Sequence, residues 1–120
     1  MEERRPTLKF GRLEIDDSAR EVRIARKSVR LKPREYSLLF VLATNAGIAM
    51  SRDRLIERVW GFDYQGDERT LDVHIRRLRM KLQEEHGLGK CLFTLHGFGY
   101  KFARPTGRAR AERAKNQSRW

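Results

Sequence analysis

The apolar residues of this chain change their spacing once, at Pro33, and that change decides most of what the chain can fold into. Before it they lie two apart with polar residues between: Leu8 and Phe10, Leu13 and Ile15, Val22 and Ile24, Val29 and Leu31. Successive side chains on a strand point to opposite faces, so this spacing marks strands with one buried face. Gly11-Arg12, Asp16-Asp17-Ser18 and Arg26-Lys27-Ser28 supply turns between them. Residues 7–31 therefore predict a four-stranded antiparallel sheet. After Pro33 the spacing becomes helical.

Pro33 suits the first turn of a helix, and Glu35 complements the helix dipole there. Tyr36, Leu39, Phe40, Leu42, Ala43 and Ala46 cover much of the circumference, which predicts a central, largely buried helix ending near Asn45 and Gly47. Lys32 stands at the N-cap position; lysine has no acceptor, an expected loss of about 1 kcal/mol. Ser51 is a good N-cap for a second helix, with Leu55, Ile56 and Val59 on one face and Gly61 at its end. Trp60 to Gly66 reads as a loop with three exposed aromatics, Trp60, Phe62 and Tyr64. A third helix is expected from about 67 to 85, stopped by Gly87 and Gly89. Leu92–Leu95 and Tyr100–Phe102 then flank His96-Gly97-Phe98-Gly99, where glycine at both positions of Gly-x-Gly predicts a tight hairpin. The fold class is α+β: a four-stranded sheet, three helices and a C-terminal β-hairpin, the order of a winged helix-turn-helix with the hairpin as the wing.

The third helix points most directly to function. At 100° per residue, Leu71, Ile75, Leu78 and Leu82 form one narrow stripe that must face the core. The opposite side carries Arg69, Val73, Arg76 and Met80, with Thr70 and Arg77 on its shoulder and His74 and Arg79 on the flanks. A solvated face would mix charge signs to gain i,i+4 pairs. Here Asp72 is the sole acid between Arg69 and Gln83. Four arginines within eleven residues repel one another, and phosphates would relieve that repulsion. Guanidinium groups also read guanine edges, and short side chains such as Val73 and Thr70 let the backbone approach.

The whole chain agrees with a polyanionic partner. Its formal net charge is +11, with 36% charged and 39% hydrophobic residues. No apolar run approaches the length of a membrane span, and the charged start Met1-Glu2-Glu3-Arg4-Arg5-Pro6 lacks a signal-peptide core, so a cytoplasmic protein without a membrane partner is expected. Cys91 is the single cysteine and reads as a small buried hydrophobe. There is no Gly-rich phosphate loop, no metal-spaced His/Cys cluster and no triad, so neither an enzyme nor a cofactor or metal site is expected. A basic winged helix that binds RNA, or nucleic acid without sequence preference, is the alternative; the helix presents arginines, Val and Thr rather than stacking aromatics, which favours duplex DNA.

Longer stretches of the sequence resemble one family. Leu31-Lys32-Pro33-Arg34-Glu35-Tyr36-x-Leu38-Leu39 resembles the opening of the central helix in the PhoB/OmpR response regulators. Ser51-Arg52-x-x-Leu55-Ile56-x-x-Val59-Trp60-Gly61 is similar to their second helix, and Arg69-Thr70-Leu71-Asp72-Val73-His74-Ile75-Arg76-Arg77-Leu78-Arg79-x-Lys81-Leu82 to their recognition helix. Gly97-Phe98-Gly99-Tyr100-Lys101-Phe102 resembles the wing.

The resemblance, over residues 7–103, implies the output domain of a two-component regulator, with no receiver domain in this chain. It implies binding to direct repeats of double-stranded DNA as a head-to-tail dimer, the isolated domain being a monomer. Thr70, Val73 and Arg77 would face bases. Trp60, Arg69, His74, Arg76, Arg79, Thr94 and Tyr100 would hold phosphates. The wing tip at His96, Gly97 and Gly99 would lie at the minor groove, where the family commonly has Arg in place of His96. The loop of Gly61, Phe62, Asp63, Tyr64, Gln65 and Gly66 would touch the sigma or alpha subunit of RNA polymerase. Residues 1–6 read as a linker remnant, and 104–120 as a disordered basic tail in which six Arg or Lys face the single Glu112.

Overall fold

The computed structural model describes residues 7–86 and 88–104, with the backbone alone at 84–86. The linker at 1–6, the helix stop at Gly87 and the tail beyond Arg104 lie outside the described residues. Four antiparallel strands come first: β1 (Thr7–Phe10), β2 (Leu13–Asp16), β3 (Glu21–Ile24) and β4 (Lys27–Val29), paired in chain order. Their inward residues Phe10, Leu13, Ile15, Val22, Ile24 and Val29 are buried, as the alternation requires. Two turns differ from expectation. Ala25 and Arg26 both have positive φ (52° and 70°), which makes the two-residue β3–β4 hairpin one position earlier and leaves Lys27 and Ser28 in β4. Asp16 belongs to β2, Asp17 to Arg20 form the turn, and Leu31 lies outside β4.

Helix α1 (Pro33–Thr44) buries Tyr36, Leu38, Leu39, Leu42 and Ala43 in the same core as the inward residues of this sheet. Its N-terminus is better satisfied than Lys32 suggests. Glu35 accepts the Lys32 backbone N–H at 2.9 Å, half of a capping box, and also receives Lys81 at 2.6 Å. The Tyr36 hydroxyl donates to Asp17 at 2.7 Å and ties the helix to the β2–β3 turn. Helix α2 (Arg52–Trp60) starts at Ser51, whose hydroxyl accepts the Arg54 N–H at 3.1 Å. Helix α3 (Arg69–His86) follows, then a single 3-10 turn (Gly89–Cys91), in which Cys91 is buried.

Strands β6 (Leu92–Leu95) and β7 (Gly99–Phe102) form the expected hairpin. A third strand, β5 (Met50–Ser51), pairs with β7, so the wing is a three-stranded sheet in the order β5-β7-β6. The two glycines of the hairpin do different things. Gly97 takes positive φ (80°) at the turn. Gly99 does not; a Cβ there would lie 2.0 Å from the Met50 carbonyl oxygen, so Gly99 lets β5 approach β7. The Phe10 and Phe102 rings, 4.9 Å apart, join the first sheet to the wing across one core. Among the described residues, no helix is long and apolar enough to cross a membrane.

Candidate nucleic-acid interface

Helix α3 begins where Asp67 accepts the Arg69 N–H at 2.8 Å. Leu71, Ile75, Leu78 and Leu82 are at most 1% exposed and fix the helix by one stripe. That leaves Arg69, Val73, Arg76, Arg77 and Met80 exposed on the other side, with Thr70 half-buried at the shoulder. Arg69 has an exposed ion pair with Asp67 at 3.7 Å. Among the described residues, Arg76 and Arg77 have no ion pair.

The other expected contacts are held by the protein itself. His74 Nδ1 lies 2.7 Å from the Thr70 carbonyl oxygen, so the ring N–H at Nδ1 donates to it. The His74 ring meets the Trp60 ring edge-on at 5.1 Å, and Trp60 meets Tyr64 at 6.1 Å. The Tyr64 hydroxyl donates to the Asp67 carbonyl at 3.1 Å. Of the three loop aromatics expected to be exposed, only Phe62 is, at 87%. Trp60 and Tyr64 are half-buried because they close the corner between α2 and α3. Gly61 caps α2 at φ 116°, and Asp63, Gln65 and Gly66 are exposed.

Two clasps hold the wing to α3. Arg79 Nη2 donates to the Leu92 carbonyl and to Thr94 Oγ1, each at 2.9 Å. Asp72 Oδ1 accepts from the Arg52 guanidinium and, at 2.6 Å, from the Tyr100 hydroxyl. Burial alone would raise the Asp72 carboxyl, but the bonds from Arg52 and Tyr100 hold it below its ordinary 3.8. Burial, and then the bond to Asp72, push the Tyr100 hydroxyl up to about 12. The Arg52 backbone N–H also donates to Phe98 at 3.2 Å. The start of α2, the first turns of α3 and β7 thus meet at one carboxylate. Sequence reasoning missed Arg52 and Asp72 as a pair. Asp72 stands out in the sequence as the sole acid between Arg69 and Gln83, but its partners stand 20 and 28 residues away. At the wing tip, His96 and Gly97 are exposed and Gly99 is buried.

The family model described as "Transcriptional regulatory protein, C terminal" matches residues 26–102. The chain belongs to this family. It is a winged-helix effector domain of the PhoB/OmpR response-regulator type. The effector domain is similar to the heme response regulator HssR of Staphylococcus saprophyticus, 47% identical over 92 residues that cover 77% of this chain and 41% of that protein. The chain thus spans about two-fifths of the length of the curated relatives it matches. Its fold matches the RstA DNA-binding domain of Klebsiella pneumoniae, solved in complex with the RstA box, with a TM-score of 0.72 and 37% identity over 82% of this chain and 98% of that one. It also matches the DNA-binding domain of CpxR from E. coli, with a TM-score of 0.70 and 29% identity over 83% and 98% of the two chains. The family is one of transcription regulators, not of enzymes.

Proposed function

We propose that this effector domain binds double-stranded DNA sequence-specifically, with α3 in the major groove and the β6–β7 hairpin at the adjacent minor groove. The observation that carries this is the outer face of α3. It presents Arg76 and Arg77 without ion-pair partners among the described residues, beside the short exposed Val73. A groove about 12 Å wide admits such a helix, and guanidinium forks match guanine O6 and N7. The RstA DNA-binding domain of similar fold, solved in complex with the RstA box, supports DNA as the partner.

In this reading Thr70, Val73 and Arg77 face bases, while Arg69, His74, Arg76 and Trp60 hold phosphates. Arg79 uses Nη2 on the wing and keeps further N–H groups for a phosphate, alongside Thr94. Tyr100 has a single hydroxyl proton, which Asp72 takes, so a phosphate contact there requires that bond to be exchanged. Binding is in tandem on direct repeats, under the control of a receiver domain. The loop from Gly61 to Gly66, with Phe62 exposed, is the surface offered to RNA polymerase.

Selection of bound sequences from random duplex DNA, at low and at physiological salt, tests this reading. The expected result is a short motif enriched in two direct copies about one helical turn apart. Binding that enriches no motif and vanishes as salt rises would leave a non-specific basic domain.

A further inference from the structure

The basic surface does not stop at α3. Arg34, the second residue of α1, is exposed, and its guanidinium carbon lies 5.7 Å from the centre of the Trp60 ring. Trp60 in turn meets His74 at 5.1 Å. A strip of three side chains therefore runs from the first turn of α1, across the end of α2, to the flank of α3. Its neighbour Glu35 explains why Arg34 is available. Glu35 is fully buried and takes both Lys81 and the Lys32 backbone N–H. One position earlier, Arg34 projects to solvent, and it has no ion pair among the described residues. A cation–π contact holds the cation near the ring. Among the described residues the Arg34 guanidinium makes no hydrogen bond or ion pair, so its N–H fork can meet an anion.

We infer that Arg34 is a further DNA-backbone contact, binding a phosphate next to the one Trp60 reaches and outside the bases read by α3. This rests on the reading of α3 as a groove-binding helix. A DNA strand carries one charge per roughly 3.4 Å of axis, so a strip with steps of 5.7 and 5.1 Å is long enough to meet more than one phosphate. The contact is to phosphate alone, so it adds affinity and salt dependence and no base preference.

The experiment compares the wild-type chain with Arg34→Gln and Arg34→Lys across a salt series. The probes are the selected site and a mixed-sequence duplex of about four helical turns. Arg34→Gln is expected to make the slope of log K against log salt shallower by about 0.9, equally on both duplexes, with several-fold weaker binding at physiological salt. Arg34→Lys, which keeps the charge, should keep the slope. Thermal midpoints are read in parallel; if Arg34→Gln also destabilises the fold, the slope of Arg34→Lys against that of Arg34→Gln still isolates the charge. A wild-type slope in Arg34→Gln, or a loss confined to the selected site, would overturn the proposal. A wild-type chain with no steep salt dependence would instead overturn the reading of α3.

Discussion

Asp72 gathers a guanidinium and a phenol onto one oxygen, and it does so on the helix proposed to read DNA. Tyr100→Phe removes one of those bonds and should cost about 1 kcal/mol of stability. It should also weaken DNA binding without changing the selected motif, because the wing loses its brace while the base-facing residues stay. Identical affinity and unfolding midpoint in the variant would show that the brace contributes nothing. The Tyr100 hydroxyl has a second readout. Its folded value of about 12 lies above the ordinary 10.0, so its contribution to stability is complete below pH 10 and is lost as pH rises towards 12. An ultraviolet tyrosine titration should show one phenol in that range that disappears in Tyr100→Phe. On the outer face the roles separate by direction. Arg77→Ala should cost about 1–3 kcal/mol and relax base preference, and Arg76→Ala should weaken all sequences alike. Equal behaviour of the two would refute the assignment of faces.

The wing sheet depends on an element only two residues long. β5 reaches β7 because Gly99 has no side chain where the Met50 carbonyl sits. Gly99→Ala must push the strands apart, at about 1–3 kcal/mol. Ser51 ends β5 and caps α2, so the shift is passed to the helix that leads into α3. The expected outcome is a lower unfolding midpoint together with weaker DNA binding. A midpoint within error of wild type would mean that β5 and β7 can separate at no cost. At the other end of α3 the element contact is ionic. Lys81→Met leaves Glu35 fully buried without its cation, and about 2 kcal/mol should be lost. That is below the range for a fully buried pair, because Lys81 keeps 33% of its side chain in solvent.

Two carboxylates fasten the whole molecule across elements, and both titrate in acid. Burial works against the Glu35 anion, but the bonds from Lys81 and Lys32 hold its carboxyl below the ordinary 4.5. Asp72 lies below its ordinary 3.8 for the reason given above. A carboxylate lowered in the folded state stabilises above its unfolded value, and that contribution is lost as pH falls through the folded one. The unfolding midpoint should therefore fall as pH drops below about 4.5, as the carboxylates of the α1–α3 tie and of the α2–α3–β7 tie are protonated. In Glu35→Gln the acid-dependent part of that loss should shrink. An equally steep acid loss in the variant would place the titrating groups elsewhere.

The sequence by itself determined what depends on neighbours along the chain. Alternation gave the four strands, the 71-75-78-82 spacing gave the buried stripe of α3 and hence its arginine face, and Ser51 gave the cap of α2. It misplaced the β3–β4 turn because Ala25 and Arg26 carry no glycine or asparagine signal for positive φ. Tertiary structure alone decided what depends on residues meeting at a distance. It added β5 to the wing, half-buried Trp60 and Tyr64 in the α2–α3 corner, and set Arg79 on Leu92 and Thr94. It also brought together Arg52, Asp72 and Tyr100, and Glu35 with Lys81, 46 residues apart. A periodic pattern says which way a side chain faces relative to its own element. Which partner waits there follows only when the elements pack, because hydrogen bonds and ion pairs act over a few ångströms of space, whatever the separation along the chain.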